Sequence, residues 1–323
     1  MKFGTVMPTR GPLATQEGLT AIARKAESLG FDTLSISDHI VIPKSIDSRY
    51  PYSQGGEYPG DPDERDQCLE QLTTVMFLAG IVSKPKLLTS VMVVPYRSPM
   101  HTAKILATID QLSGGRLVLG VGAGWMREEF EAVGAPDYDR RGAVTDEYIR
   151  AFKELWTSPN PSFEGEFCSF SDIAFEPKPL QKPYPPIWTG GESPPALRRA
   201  GRYADVWFPI GSNPTFPVDT PQRLRQSMTT VRRHAEEAGR NPEDIGVAYA
   251  TGWYNEKKAE NGPQGKRRMF TGSTKQIADD FKAFAAEGVD EFLVSLLAKT
   301  LKGSLERMEH FANEVRPLVE GRK

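Results

Sequence analysis

Cysteine and histidine are scarce in this chain of 323 residues, which contains two cysteines and four histidines. Cys68 and Cys168 show no metal-binding spacing, and two cysteines do not make a disulfide framework. The histidines show neither the H-x-H nor the H-E-x-x-H spacing of zinc hydrolases. We therefore expect no metal site, and the low cysteine content favours a reducing cytoplasm.

The chain also lacks a surplus of charge and any long apolar run. Its formal net charge of −2 gives no overall attraction to nucleic acid or to an anionic membrane. No apolar stretch approaches the length of a membrane span, and the N-terminal stretch MKFGTVMPTRG becomes polar too early for a signal peptide. These absences predict a globular protein whose partner is neither nucleic acid nor a membrane.

Short apolar runs alternate with longer amphipathic segments along the chain. The runs that predict β-strands cover residues 3–7, 32–37, 87–94, 116–122, 186–191, 204–210, 245–254 and 291–298. Near-continuous apolar strands joined by helices are typical of a parallel sheet covered on both sides. Eight strand–helix units predict an α/β fold, a (β/α)8 TIM barrel, with residues 1–323 as a single domain. A doubly wound open sheet is the alternative.

Three irregular segments interrupt this rhythm. Residues 162–186 alternate and then turn proline-rich, which predicts a surface hairpin inserted before strand five. The links after strands two and seven, residues 40–64 and 255–273, are long. Both follow a strand and precede a helix, so they lie over the carboxyl ends of the strands, where barrel enzymes carry out catalysis. Such loops are typical of functional lids, with simple tolerance of insertions as the alternative.

An acid and an imidazole stand side by side where the second strand ends, in the stretch FDTLSISDHIVIPK. Because neighbouring side chains on a strand point to opposite faces, Asp38 and His39 should enter different environments. One should point into the mouth of the barrel and the other toward its wall. Such a pair can act as a general acid or base held by a carboxylate, or it can be purely structural.

Two glycine-rich stretches follow strands four and five, LGVGAGWMREEF (119–130) and WTGGESP (188–194). Their backbone N–H groups and the helix N-termini that follow can approach an anion. The first is not a dinucleotide-binding G-x-G-x-x-G motif, because Arg127 occupies the third glycine position. Two such strand ends on one face indicate a single elongated ligand, whereas each alone could be a tight turn.

Two further stretches belong to the candidate site: the end of strand three and a basic stretch after strand seven. The stretch TSVMVVPYRSP (89–99) has small side chains that would let a flat ring approach, although a plain buried strand is the simpler interpretation. The stretch EKKAENGPQGKRR (256–268) is simplest to interpret as a solvated loop, but over the mouth it could attract a polyanionic tail. Its cations are Lys257, Lys258, Lys266, Arg267 and Arg268.

Taken in order, these motifs resemble the luciferase-like superfamily of flavin and deazaflavin oxidoreductases, and within it the enzymes that use coenzyme F420. The likeness extends from FGTVMPTRG to the last helix. The motifs that carry it are SDH at 37–39, LLTSVMVVPYRSP, GGRLVLGVGAGWMREEF, RRGAVTDEYIRAFKELW, SFEGEFCSF, EPKPLQKPYPPIWTGGESPPALRRAGRYAD and TGSTKQIADDFKAF.

The resemblance implies a deazaflavin ring standing in the barrel mouth, and a homodimer. Asp38 would hold the ring or the imidazole, and His39 would donate or accept a proton near the ring carbon that exchanges hydride. A non-prolyl cis peptide, which matches Ser90–Val91 here, would support the ring from behind. The residues that it implies for cofactor binding are Asp38, Ser90, Val91, Gly122, Ala123, Gly124, Trp125, Thr189, Gly190, Gly191 and Glu192.

The chain departs from the sugar-phosphate dehydrogenases of this superfamily. Trp125 replaces the acidic glutamate that follows their fourth strand, and Pro43 replaces the aromatic residue of their strand-two loop. A basic cluster for a sugar phosphate is not evident, so we exclude that substrate. Four residues near strand ends could shape an apolar substrate pocket or could belong to the core. They are Met7, Trp125, Trp253 and Tyr254.

The sequence therefore predicts an enzyme that transfers hydride between coenzyme F420 and a small organic substrate. The substrate and the direction of transfer stay open. One alternative is an FMN-dependent monooxygenase on the same barrel. Another, from a different class, is a barrel that binds a flavin without catalysis. The Asp-His pair and the basic run favour the deazaflavin.

Overall fold

The computed structural model describes residues 1–60, 67–262 and 265–321, in which eight parallel strands close into a barrel wrapped by helices. The strands are β1 (Lys2–Val6), β2 (Thr33–Ile36), β3 (Lys86–Thr89), β4 (Leu117–Gly122), β5 (Ile187–Gly190), β6 (Val206–Phe208), β7 (Gly246–Ala250) and β8 (Val289–Val294). Each strand pairs with its neighbours in sequence, and β1 pairs with β8 to close the ring. The predicted (β/α)8 TIM barrel is confirmed, and the open sheet is excluded.

Three predicted strands are wrong in their bounds. The predicted strand 87–94 is interrupted, because β3 ends at Thr89 and sheet pairing resumes only at Met92–Val93, beside β4. Between the two segments, the Ser90–Val91 peptide bond is cis. The predicted strands 245–254 and 291–298 both end too late. β7 ends at Ala250, and β8 ends at Val294, whose partner Thr5 is the last β1 residue that pairs with β8. An apolar run predicts extended backbone, but the partner strand decides where pairing starts and ends.

Helices link the strands on the outside of the barrel. They are α1 (Gln16–Ser28), α2 (Gln71–Ile81), α3 (Pro99–Leu112), α4 (Arg127–Ala132), α5 (Arg141–Thr157), α6 (Pro194–Tyr203), α7 (Pro221–Glu237), α8 (Thr274–Ala285), α9 (Leu301–His310) and α10 (Arg316–Glu320). A π-helical turn, Phe311–Val315, lies between α9 and α10. Within the described residues, every helix is too short or too polar to cross a membrane.

The inserted hairpin before β5 is present and is fastened to the barrel by a buried acid. Its strands, Phe163–Glu164 and Ser169–Phe170, pair antiparallel. Glu147 of α5 accepts hydrogen bonds from the backbone N–H groups of the hairpin turn, at 2.9 Å from Glu166, 2.7 Å from Phe167 and 2.8 Å from Cys168. A buried carboxylate that is matched by several donors compensates its lost hydration, so this contact anchors the hairpin.

The strands divide the apolar core into an inner and an outer part. Residues that alternate outward pack against the helices, and the larger cluster lies there. Residues that alternate inward form a small cluster around Trp188 and Phe208 inside the barrel. Further toward the carboxyl ends, the inward positions carry little or no side chain, as at Gly122, Gly190 and Ala250. The barrel is therefore filled below and open at its carboxyl mouth.

Two helical glycines should respond oppositely to alanine. At Gly201 of α6, a methyl group would lie 2.6 Å from the Val231 carbonyl oxygen and 2.6 Å from His234 Cβ, both on α7. At Gly80 of α2, it would meet nothing within 4 Å. We expect Gly201→Ala to lower the free energy of unfolding by about 1–3 kcal/mol, because the helices must separate. Gly80→Ala should raise it by about 0.5–1 kcal/mol.

Urea unfolding of the two variants and the wild type measures both changes. If Gly201→Ala were as stable as the wild type, the glycine would not set the spacing between α6 and α7.

Candidate active site

His39 is held by a buried carboxylate at the carboxyl rim of the barrel. Its Nδ1 lies 2.7 Å from Oε2 of Glu129 in α4, and Glu129 is fully buried. The same carboxylate accepts hydrogen bonds from the backbone N–H groups of Ile40 (2.7 Å) and Val41 (3.2 Å) and from the Tyr96 hydroxyl (2.9 Å). Two backbone N–H groups and a phenol donate to this carboxylate, and we assign His39 Nδ1–H as a further donor because a carboxylate accepts.

This arrangement leaves Nε2 of His39 as the ring nitrogen available to a ligand. The His39 side chain keeps 14% of its surface exposed, whereas Glu129 is inaccessible. The imidazole is therefore fixed in orientation and in tautomer while one edge faces the mouth.

Asp38 lies on the other side of the strand end and is paired with an arginine. Its carboxylate accepts hydrogen bonds from both Nη atoms of Arg97 (2.8 Å each) and from the backbone N–H of Val93 (2.9 Å). Arg97 also donates to Glu70 at 2.7 Å. Burial alone would lower the pKa of Arg97, but its hydrogen bonds to Asp38 and Glu70 and their charges raise it. Asp38 thus ties the end of β2 to the segment after β3.

The resemblance allowed Asp38 to hold either the ring or the imidazole, and the second possibility is wrong. The carboxylate on the imidazole is Glu129, because adjacent residues at a strand end face opposite directions. The expectation that the two side chains enter different environments is confirmed.

The Val91 side chain lies between two predicted cofactor residues, Gly122 and Gly190. A methyl group at Gly122 would lie 2.6 Å from Val91 Cγ2, and one at Gly190 would lie 3.0 Å from Val91 Cγ1. Gly124 has a φ of +83°, and a methyl group there would lie 2.7 Å from Val93. The glycines therefore leave room for the side chains of Val91 and Val93, which a methyl group at these positions would displace.

Among the predicted cofactor residues after β5, Gly191 and Glu192 already make hydrogen bonds within the protein, whereas the Thr189 hydroxyl does not. Thr189 is fully buried, and its Oγ1 has no hydrogen-bond partner within the described residues. The Gly191 carbonyl accepts a hydrogen bond from Trp207 Nε1 at 3.0 Å. Glu192 is only 3% exposed and accepts hydrogen bonds from Ile210 N–H (2.8 Å) and Asn213 Nδ2 (2.7 Å). Burial raises the pKa of Glu192 to about 7. This carboxyl group joins the loop after β5 to the loop after β6.

The long loop after β2 brings tyrosines back to His39. Tyr50, Tyr58 and Trp125 form what we name the aromatic cluster, with ring centroids 5.1 Å apart for Tyr50–Trp125 and 5.3 Å for Tyr58–Trp125. The Tyr58 ring lies 5.4 Å from that of His39. Arg10 stacks on the Tyr58 ring and donates to its hydroxyl. Burial raises the pKa of Tyr58 to about 12, although Arg10 opposes this shift.

A second acid of α4 fastens this loop. Glu128 accepts hydrogen bonds from the backbone N–H groups of Asp47 (2.8 Å) and Ser48 (2.9 Å). In return, Ser48 Oγ accepts a hydrogen bond from Arg127 N–H at 3.0 Å. The first turn of α4 therefore positions both the start of the loop, through Glu129, and its middle.

The four predicted substrate-pocket residues do not share one environment. Trp125 belongs to the aromatic cluster near His39. Met7 is 1% exposed and lies in the outer core, and Tyr254 is 8% exposed with its ring against Phe311. Trp253 lines a separate groove beside Arg268. For Met7 and Tyr254, the structure agrees with the core alternative.

The sequence prediction misses Glu129, Arg97 and the tyrosines of the loop. Glu129 and Arg97 both stand inside motifs that the prediction used, LGVGAGWMREEF and TSVMVVPYRSP. The available signal for Glu129 was an acid in the first turn of a helix that follows a barrel strand. No local pattern shows that Tyr50 and Tyr58 return to the mouth.

Comparison with known proteins relates the chain to one family. The family model described as luciferase-like monooxygenase matches residues 1–261. The FMNH(2)-dependent dimethylsulfone monooxygenase of Pseudomonas putida is 32% identical over 294 residues, covering 79% of this chain and 79% of that protein.

Solved structures share the fold. An F420-dependent secondary alcohol dehydrogenase in complex with an F420–acetone adduct has a TM-score of 0.75 at 18% identity and covers 98% of each chain. EDTA monooxygenase from a Chelativorans species has a TM-score of 0.75 at 16% identity, covering 99% of this chain and 93% of that one.

Glu192→Gln should remove a pH dependence of stability. The pKa of Glu192 rises from an ordinary value of 4.5 to about 7 in the folded chain, so the folded state holds the proton more tightly. The stability that this group contributes below its unfolded pKa is therefore lost as pH rises through about 7. Between pH 4.5 and pH 8 the wild type should lose about 3 kcal/mol more than the variant, measured by urea unfolding.

Glu131→Gln, at an exposed position of α4, is the matched control and should follow the wild type. Parallel curves for the wild type and Glu192→Gln would contradict the assigned burial effect.

Proposed function

Since the chain belongs to the luciferase-like monooxygenase family, we propose that it exchanges hydride between coenzyme F420 and a small organic substrate. The observation that carries the proposal is the His39 imidazole, fixed by buried Glu129 at the carboxyl rim. Barrel enzymes carry out their chemistry at this rim. An imidazole with one nitrogen secured and the other free toward the mouth is arranged for proton transfer.

The residues of the mouth fit a planar ring with an anionic chain. Val91 would support the ring, and Gly122 and Gly190 make room for its side chain at the strand ends. Gly124 and Gly191 stand at strand ends where backbone N–H groups can approach a phosphate. When bound, the deazaflavin would supply the hydride chemistry, and the protein would supply orientation and a proton.

His39 would hold or deliver the proton that accompanies hydride transfer, through Nε2. Glu129 engages Nδ1 and orients the ring, so Nε2 is the nitrogen that would exchange the proton. General acid–base help of this kind contributes about 10²–10⁴-fold. Asp38 and Arg97 secure the segment after β3, which carries Val91, and so keep the support of the ring in place.

The aromatic cluster would form the substrate wall next to His39. The packed rings of Tyr50, Tyr58 and Trp125 offer an apolar surface at the imidazole. A wall of this kind selects an apolar or weakly polar substrate and limits water around the reacting atoms.

An FMNH(2)-dependent monooxygenase is the second candidate, and the relative from Pseudomonas putida favours it. The mouth would accept FMN as well, because both cofactors present a fused ring, a ribityl chain and a phosphate. The two differ in the tail beyond the phosphate, where coenzyme F420 carries further negative charge.

Fluorescence titration of the apoprotein with F420 and with FMN tests the proposal. We expect F420 to bind at least about tenfold more tightly than FMN, and the reduced complex to be oxidised by an organic substrate rather than by oxygen. Tight FMN binding without F420 binding would overturn the assignment.

Titration of the Gly122→Ala variant tests whether the cofactor binds at this place in the mouth. Its methyl group would press on Val91, so we expect at least about a tenfold loss of F420 affinity. Gly80→Ala makes the same chemical change in open space on α2 and should bind like the wild type.

His39→Ala should retain the cofactor and lose turnover. Without the imidazole the proton has no carrier, so turnover with a substrate found by screening should fall about 10²–10⁴-fold. The dissociation constant for F420 should stay within about twofold. His101→Ala, at an exposed position of α3, is the control. Unchanged turnover in His39→Ala would remove this residue from the mechanism.

A further inference from the structure

A groove separate from the cluster around His39 opens between α7 and the loop after β7. Its volume is 440 Å³, within the range of ligand pockets. Asp219, Gln222 and Arg223 line one side, and Trp253, Lys266 and Arg268 line the other. Both segments follow the carboxyl ends of barrel strands, β6 and β7, so the groove opens on the same face as His39.

Positive charge predominates on the walls of the groove. Arg223, Lys266, Arg267 and Arg268 line it, and Asp219 is the acid that faces them among its lining residues. Arg267 is committed to the fold, because it makes hydrogen bonds of 2.8 and 2.6 Å to the buried Asp280. The cations that remain for a ligand are therefore Arg223, Lys266 and Arg268.

These cations differ in how far they are already neutralised. Arg223 pairs with Asp219 at 2.5 Å. Arg268 stacks on the Trp253 ring at 4.6 Å and reaches Glu260 only at 3.2 Å, and its buried Nε has no partner within the described residues. Across the described part of the chain, no acidic side chain pairs with Lys266. Arg268 and Lys266 thus retain capacity for a carboxylate.

The cations of the basic stretch 256–268 therefore occupy two different environments. Lys266, Arg267 and Arg268 line the groove, whereas Lys257 and Lys258 do not. Lys257 and Lys258 are exposed side chains whose backbone N–H groups donate to Asn255. A generally solvated loop would not direct its cations onto one wall in this way.

We propose that this groove binds the carboxylate tail of the cofactor, an inference that rests on the proposed function. Coenzyme F420 continues beyond its phosphate into a chain of glutamates, a flexible polyanion that a ring seated in the mouth would project over the rim. Lys266 and Arg268 receive its carboxylates, and Arg268 remains oriented by Trp253. The groove then adds affinity for the tail without touching the reacting ring.

The test compares two natural forms of the cofactor that differ only in the tail. One carries several glutamates, and the other ends at the phospholactyl group. The wild type should bind the longer form about fivefold more tightly at low salt, and the difference should shrink in 0.5 M NaCl as the charges are screened.

Lys266→Glu should abolish the preference and leave binding of the short form within about twofold. Lys258→Glu, the same charge reversal on the same loop outside the groove, should retain the preference. Arg268→Gln should reduce the preference and gives a second variant if Lys266→Glu folds poorly.

The outcomes separate the two proposals. If both forms bind equally to the wild type, or if Lys258→Glu acts like Lys266→Glu, the tail does not occupy the groove, but F420 remains the cofactor. If neither form binds, the proposed function itself fails.

Discussion

One buried carboxylate, that of Glu129, determines the geometry of the rim. A carboxylate removed from water is costly unless donors replace its hydration, and here an imidazole, a phenol and two backbone N–H groups do so. The donors come from the loop after β2 and from the turn after β3, while the acid comes from α4. A single anion thus joins three strand–helix units and orients His39 as a result.

Two other buried carboxylates at the mouth, those of Asp38 and Glu192, are also held by hydrogen-bond donors, but their donors differ in charge. Asp38 faces a full positive charge on Arg97, and both of its oxygens are engaged by the guanidinium. Glu192 has only neutral donors, Ile210 N–H and Asn213. Burial therefore dominates at Glu192 and raises its pKa to about 7. Each of these two acids links adjacent βα loops. The link through Asp38 is neutralised by Arg97, whereas the link through Glu192 is not neutralised and is therefore sensitive to pH.

Local sequence patterns are sufficient to predict the barrel fold, but they do not predict the contacts of the candidate site. Apolar runs and helix ends are short-range properties, and they predicted the eight strand–helix units and the hairpin before β5. The partner of His39 was missed because Glu129 lies 90 positions away and meets it only when the barrel closes. The interruption at Ser90–Val91 was supplied by family likeness, since the residues themselves read as one continuous strand. Adjacent Asp38 and His39 suggested a pair, yet strand geometry separates them.

Cofactor choice follows from where the recognition elements lie. In the proposed complex, Val91 and the glycines beside it would contact only what a flavin and a deazaflavin have in common, a flat ring. Selection between the two would then come from groups that reach past the phosphate, and on this face Lys266 and Arg268 of the loop after β7 are the cations with remaining capacity. Those loops can change without disturbing Glu129 or Asp38, which hold the opposite side of the mouth. A barrel built this way can keep the proposed proton-transfer residue His39 while its cofactor preference changes.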